Sequence, residues 1–415
     1  MTSWFARPEK RPARTAAPLL VAVLGTVAVA PALAQEPTRA EELAKKQAEK
    51  AATAEPYKPN KYEAFMNRLE ESLASPPDGF FPAFGSIYSG GGFTLGAGYR
   101  NFFARKAVWD ITGLYSVKNY KRLEFNIRTP WNADGPWTFG LRGGWFDATQ
   151  VAYYGLGMDS ESADRASFRV SGPYAGMNVT VLPTSWTRLE GDVSYQDQRL
   201  DSGAGRNPSI ETIYDNTTAP GLFAPDGAFS NPKFIVSQGT AAIDWRSSPG
   251  YSRTGGYYGV TLVNHTDTGE NFDFNRVDGE LIQHLPLLRE NWVLSFRGRV
   301  QSILNDDDVV PFHLLPWLGS GSTLRGYTTG RFRDRHSLLT SAEFRWIPSR
   351  LALDMAIFYD AGKVASRRAD LDFNDLKSDW GIGMRFHGVR QTVLRIEGAK
   401  GDDGWRLVFS TNAAF

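Results

Sequence analysis

The chain has 415 residues, 46 basic and 45 acidic side chains and a formal net charge of +1. That balance argues against a nucleic-acid partner, which demands a concentrated positive field. Cysteine is absent, so disulfides and thiolate metal centres are excluded.

The chain opens on a basic leader (Arg7, Lys10, Arg11, Arg14), followed by an uncharged apolar run from Ala16 that ends in Ala32-Leu33-Ala34. This is the plan of a secretory signal peptide, residues 1–34, with cleavage before Gln35. Pro31 and the small-residue end favour cleavage over a permanent anchor, and no Cys follows to make a lipoprotein. Residues 35–79 form a separate segment without strand-like alternation. Its first part is rich in Ala, Glu and Lys, and Tyr62, Phe65, Met66, Leu69 and Leu73 then fall on one helical stripe. The segment reads either as a solvated periplasmic linker or as a helix docked into or against the following domain.

No later stretch has the roughly 18 apolar residues of a spanning helix. From Phe80 onward the apolar residues instead recur at every second position. Trp405, Leu407, Phe409, Thr411, Ala413 and Phe415 alternate with Arg406, Val408, Ser410, Asn412 and Ala414. Trp380, Ile382, Met384 and Phe386 oppose Gly381, Gly383, Arg385 and His387. Leu351, Leu353, Met355, Ile357 and Tyr359 oppose Ala352, Asp354, Ala356, Phe358 and Asp360. Leu338, Thr340, Ala342, Phe344 and Trp346 oppose Leu339, Ser341, Glu343 and Arg345. One face suits lipid and the other a wet lumen. Short proline-containing links at Pro130, Pro183, Pro249, Pro286 and Pro348 alternate with long polar stretches near 148–165, 201–232, 302–335 and 362–376. The fold class expected is all-β: a transmembrane antiparallel β-barrel of about 16 strands over residues 80–415, beginning with a weak Gly-rich strand near 83–88. Such a barrel lies in the outer membrane of a Gram-negative bacterium, in contact with outer-membrane lipid and lipopolysaccharide, with both termini periplasmic.

The stretch "GSGSTLRGYTTGRFRDRHSLLTSAEFRW" resembles the sixth-loop signature of the BamA/TamA outer-membrane assembly superfamily (the bacterial surface antigen family), its tetrad being Leu324, Arg325, Gly326 and Tyr327. "FYDAGKV" (358–364), "YYGLGMDS" (153–160) and "WGIGMRF" (380–386) resemble further pieces of that barrel. The resemblance covers about 80–415. It implies that the sixth external loop, about 302–335, folds back into the lumen and that Arg325 meets acidic wall residues at Glu343 and Asp360. The alternation agrees, since it turns both acids inward, and an Arg fork suits a carboxylate. Arg331, Arg333 and Arg335 read as ordinary solvated loop charges. The last strand resembles the C-terminal assembly signal of outer-membrane proteins, carried here by Trp405, Leu407, Phe409 and Phe415, which makes the chain a client of the assembly machinery.

The family's members carry POTRA receptor domains ahead of the barrel, and about 41 residues at 35–75 are too few for one. The function expected is therefore protein or lipid translocation or assembly at the outer membrane, with a receptor supplied by a periplasmic partner. The alternative is a passive pore or scaffold narrowed by its sixth loop; a homodimer is left open. No enzyme is expected: there are five histidines and no nucleophile, zinc or phosphate motif, so no catalytic residue, metal or cofactor is assigned. His336 beside Asp334 is the one imaginable dyad, and "NDDD" (305–308) lacks the spacing of a calcium loop.

Overall fold

The computed structural model describes residues 60–74, 78–104, 107–129, 136–269, 271–287, 291–348, 352–388, 390–411 and 413–415. The expected signal peptide, residues 35–59, Pro130, Leu351, Asn412 and the side chains of Leu69 and Leu73 lie outside the described residues.

The stripe residues fall on a helix, α1, Lys61–Ala74. Met66 is its buried member, while Tyr62 and Phe65 stay exposed. The wall strands follow as β1 (Gly79–Phe84), β2 (Thr94–Phe103), β3 (Ala107–Ser116), β4 (Lys121–Arg128), β5 (Trp137–Tyr153), β6 (Ala166–Val181), β7 (Thr187–Asp197) and β8 (Lys233–Asp244). The second half comprises β9 (Gly255–Asp267), β10 (Phe274–Leu287), β11 (Trp292–Ile303), β12 (His336–Trp346), β13 (Leu353–Ala365), β14 (Lys377–His387), β15 (Thr392–Gly401) and β16 (Gly404–Ser410). The sheet contains seventeen strands; Arg199–Ser202 continues β7 along β6 in the same register past a two-residue break, leaving sixteen wall strands. Each pairs antiparallel with its neighbours in sequence, from β1–β2 through β15–β16. Among the described residues no ladder joins β1 to β16.

Two boundaries differ from expectation. The first strand is Gly79–Phe84, and the glycine-rich stretch assigned to it forms the 85–93 loop. Gly90 and Gly92 there adopt positive φ, which a strand does not accommodate. Pro286 lies inside β10 near its end, paired with Val293, where a missing N–H costs little.

The alternation holds. Ile357, Ile382, Leu407 and Phe409 are about 60% exposed on the outer face, while Glu343, Asp360, Arg385 and Glu397 are buried inside. Trp137, Trp186, Trp245 and Trp346 are exposed near one rim, and Tyr115, Tyr195, Trp380 and Trp405 nearer the other. These are the two aromatic girdles of a membrane-spanning barrel. No helix among the described residues is long and apolar enough to cross a membrane.

Connections of unequal length separate the two ends. The loop end carries 154–165, 203–232, 304–335 and 366–376; the turn end carries shorter links. The loops are packed rather than solvated. Phe312 of the 304–335 loop stands edge-on to Tyr153 and Phe168, each at 4.9 Å, and joins Leu200, Ile210 and Leu222 in one apolar cluster. A second cluster, with Leu318, Leu324, Tyr327 and Phe332, seats the loop against Leu339 and Val364 of the wall.

Candidate functional site

The 304–335 loop descends into the lumen and presents Arg325, 1% exposed, to the inner face of β12–β15. Its guanidinium grips Asp360 in two parallel bonds, Nε to Oδ2 at 2.7 Å and Nη2 to Oδ1 at 2.9 Å. Nη1 donates to Glu343 Oε2 at 3.1 Å and to Glu397 Oε1 at 3.2 Å. The group also lies 3.4 Å over the ring of Phe358, adding a cation–π contact in a dry site. Burial alone would lower the pKa of Arg325; the three carboxylates outweigh it and raise it. Both acids that the family resemblance implied, and that the alternation turned inward, are therefore partners of Arg325.

The register explains why the acids converge. Glu343 pairs with Phe358, Phe358 with Gly381, and Gly383 with Glu397, all inward-facing. Two glycines on β14 leave room above the wall, so the carboxylates of β12, β13 and β15 point at one spot. The alternation placed Arg385 on the lumen face but not in this cluster, which Glu397 and Arg395 complete. Arg385 donates both terminal nitrogens to Glu343 and Nη2 to Glu397 at 2.8 Å, and Arg395 stands 3.4 Å from Glu397. The signal that would have found them is the pair register of the last two hairpins, which alternation alone does not fix.

The rest of the tetrad positions the arginine. A Cβ on Gly326 would come within 2.7 Å of both Asp379 Cβ and the Gly401 nitrogen, so only glycine lets the loop backbone lie on the wall. Tyr327 donates its hydroxyl to Ser378 O at 3.2 Å, and Arg406 of β16 donates to the carbonyl of Tyr327. Leu324 is fully buried.

Arg331 and Arg333 correct the expectation of solvated charges. Both are about 5% exposed, because the loop lies inside the wall rather than above it. Arg331 pairs with Asp403 at 2.8 Å and donates to Ser160 at 2.9 Å. Arg333 donates to Phe312 O at 2.8 Å. Arg335, part-exposed, caps Asp308 O and Asn305 O. The stretch 153–160 is the clamp on their other side. Gly157 N donates to Arg333 O at 2.8 Å, Thr328 donates to Tyr154 at 2.9 Å, and Met158 sulfur accepts from Val364 N. Separate sequence pieces thus meet around one loop. His336 bonds Ser302 at 2.8 Å and not Asp334.

Trp405, Leu407 and Phe409 occupy the lipid face of β16 as expected. Phe415 does not. The strand ends at Ser410, and the tail turns inward, setting the Phe415 ring 6.3 Å from His284 and 6.0 Å beneath Arg297, both on the lumen wall.

The Omp85 superfamily domain is matched by residues 101–395. The chain belongs to the Omp85 superfamily. Among solved structures, this Omp85 barrel is similar to BamA from Haemophilus ducreyi lacking POTRA domains 1–3, at 13% identity over 80% of this chain and 70% of that one, with a TM-score of 0.60. CdiB from Escherichia coli matches at 12% identity over 80% of this chain and 61% of its own, TM-score 0.49. CdiB from Acinetobacter baumannii matches at 11% over 76% and 55%, TM-score 0.46. The first likeness shows the fold. No curated protein sequence matches this chain. This Omp85 barrel is an outer-membrane protein, and the buried Arg325 cluster is its most elaborated lumen site.

Proposed function

We propose that this barrel works at the outer membrane by opening its wall between β1 and β16, to pass or assemble a polypeptide or lipid. The observation that carries the reading is the unpaired seam. β1 has six residues, one of them Pro82, and pairs only with β2 among the described residues; a proline in the middle of so short a strand removes a donor from any second ladder, which suits an edge. Arg325 and its loop would hold the adjoining wall, β12–β15, rigid while the seam moves. In this reading the loop end is external, both termini are periplasmic, and a separate periplasmic protein supplies the receptor.

The test places photo-reactive residues at Phe80, 84% exposed on β1, and at Leu407, 61% exposed on β16. Capture of an unfolded outer-membrane or secreted chain at both sites supports the seam. Capture of lipid alone, with no dependence on client synthesis, would leave a scaffold barrel whose lumen is narrowed by its own loop.

A further inference from the structure

The link between β8 and β9, residues 245–254, is the longest at the turn end, where two to five residues suffice to join antiparallel strands. It does not remain beside its own strands. Gly250 forms a parallel bridge with Gln391, in the link between β14 and β15. Thr392 N donates to Gly250 O at 3.0 Å, and Ser248 Oγ to Arg390 O at 2.6 Å. A Cβ on Gly250 would meet Arg390 O at 2.8 Å, so the two links lie backbone to backbone.

Tyr251 then enters the lumen. It is 4% exposed, its ring stacks on His387 at 3.9 Å, and its hydroxyl donates to Asp354 at 2.8 Å and lies 3.0 Å from His387 Nε2. Arg345 donates to the carbonyl of Ser252. These partners stand on β12, β13, β14 and the link after β14, several strands around the wall from β8 and β9. A segment anchored on one arc and seated on a distant arc is a chord across the mouth. The inward-turned tail with Phe415 lies on the lumen side at the same end, against β10 and β11.

We infer that residues 245–254 are a strap that holds the turn-end mouth of the lumen shut, latched by Tyr251 in the seat formed by Asp354 and His387. Its anchorage is local: the seat residues Asp354 and His387 belong to wall ladders, but residues 245–254 lie between β8 and β9 and outside those ladders, so the strap can lift without unpairing the barrel. The strap is independent of the β1–β16 seam, and its test does not depend on a client.

The reporter is Ala356→Cys, 3% exposed on the lumen face of β13, one inward position beyond Asp354, in a chain that otherwise has no cysteine. Reconstituted barrels are labelled with a membrane-impermeant maleimide. Adding Tyr251→Ala should speed labelling at least tenfold. A further pair, Gly250→Cys with Gln391→Cys, has its Cβ atoms 2.9 Å apart, within about 1 Å of disulfide geometry. With labelling read at position 356 alone by peptide mass, oxidising that pair in the Tyr251→Ala background should restore slow labelling, and reduction should release it. Should Tyr251→Ala fail to fold, Tyr251→Phe with Ser248→Ala removes the polar latch and keeps the stacked ring. Equal labelling of latched and unlatched barrels, or of oxidised and reduced pairs, overturns the inference.

Discussion

Arg325→Ala probes the lumen cluster most directly. The substitution removes the bidentate grip on Asp360 and one bond each to Glu343 and Glu397. Glu343 and Glu397 keep Arg385 and Arg395; Asp360, fully buried, loses the arginine that pairs with it among the described residues. Breaking a buried pair from one side costs about 3–5 kcal/mol, because a charge is left without compensation. The wall ladders do not depend on Arg325, so the cost falls on the seating of the 304–335 loop. At about 1.4 kcal/mol per factor of ten, the lifted population should rise on the order of 10²–10⁴-fold. Trypsin after Arg331 and Arg333, both buried in the seated loop, reads that population while reclosing outpaces cleavage. Cleavage should accelerate by the same factor with the barrel still heat-modifiable. Replacing both Arg325 and Asp360 by leucine should recover much of the loss, since an apolar pair leaves no orphan charge. Cleavage of Arg325→Ala within threefold of the parent would refute the argument.

Gly326→Ala should lift the same loop, because its methyl meets wall backbone at 2.7 Å; overpacking of this kind costs about 1–3 kcal/mol, read by the same tryptic assay. His313, buried in the loop against Gln198, has its pKa pushed down to about 3 from 6.5, by burial first and by Arg333 second. The released loop therefore binds the extra proton: seating is at full strength above pH 6.5 and weakens as pH falls toward 3. Cleavage measured with an acid-tolerant protease should rise across that window, and His313→Gln should flatten the rise. Ile357→Arg, on the lipid face, should cost about 2–4 kcal/mol if it lies near the bilayer midplane, measured by denaturant unfolding from bilayers; an unchanged midpoint would contradict the assigned face.

How much of this was legible depended on whether the signal was local. The two-residue period sorted Glu343, Arg345, Asp354, Asp360 and Arg385 to the lumen correctly, since strand geometry sends neighbours to opposite faces regardless of context. The tetrad at 324–327 located the loop that enters. Burial of Arg331 and Arg333 was not legible, because a charged loop residue reads as solvated until a clamp such as 153–160 encloses it. The weak first strand was misplaced by a few residues, since a short strand carrying a proline has little pattern to read.

The sequence by itself determined an antiparallel barrel of about sixteen wall strands and the face of most of its strand residues. These follow from the strand period and turn chemistry, which act within a few residues. Only the tertiary structure decided that Glu397 joins Glu343 and Asp360 at Arg325, where the 245–254 link seats, and that Phe415 leaves the lipid face. Those depend on register and on contacts between segments 70 to 140 residues apart, and residues so distant leave no local pattern in the chain.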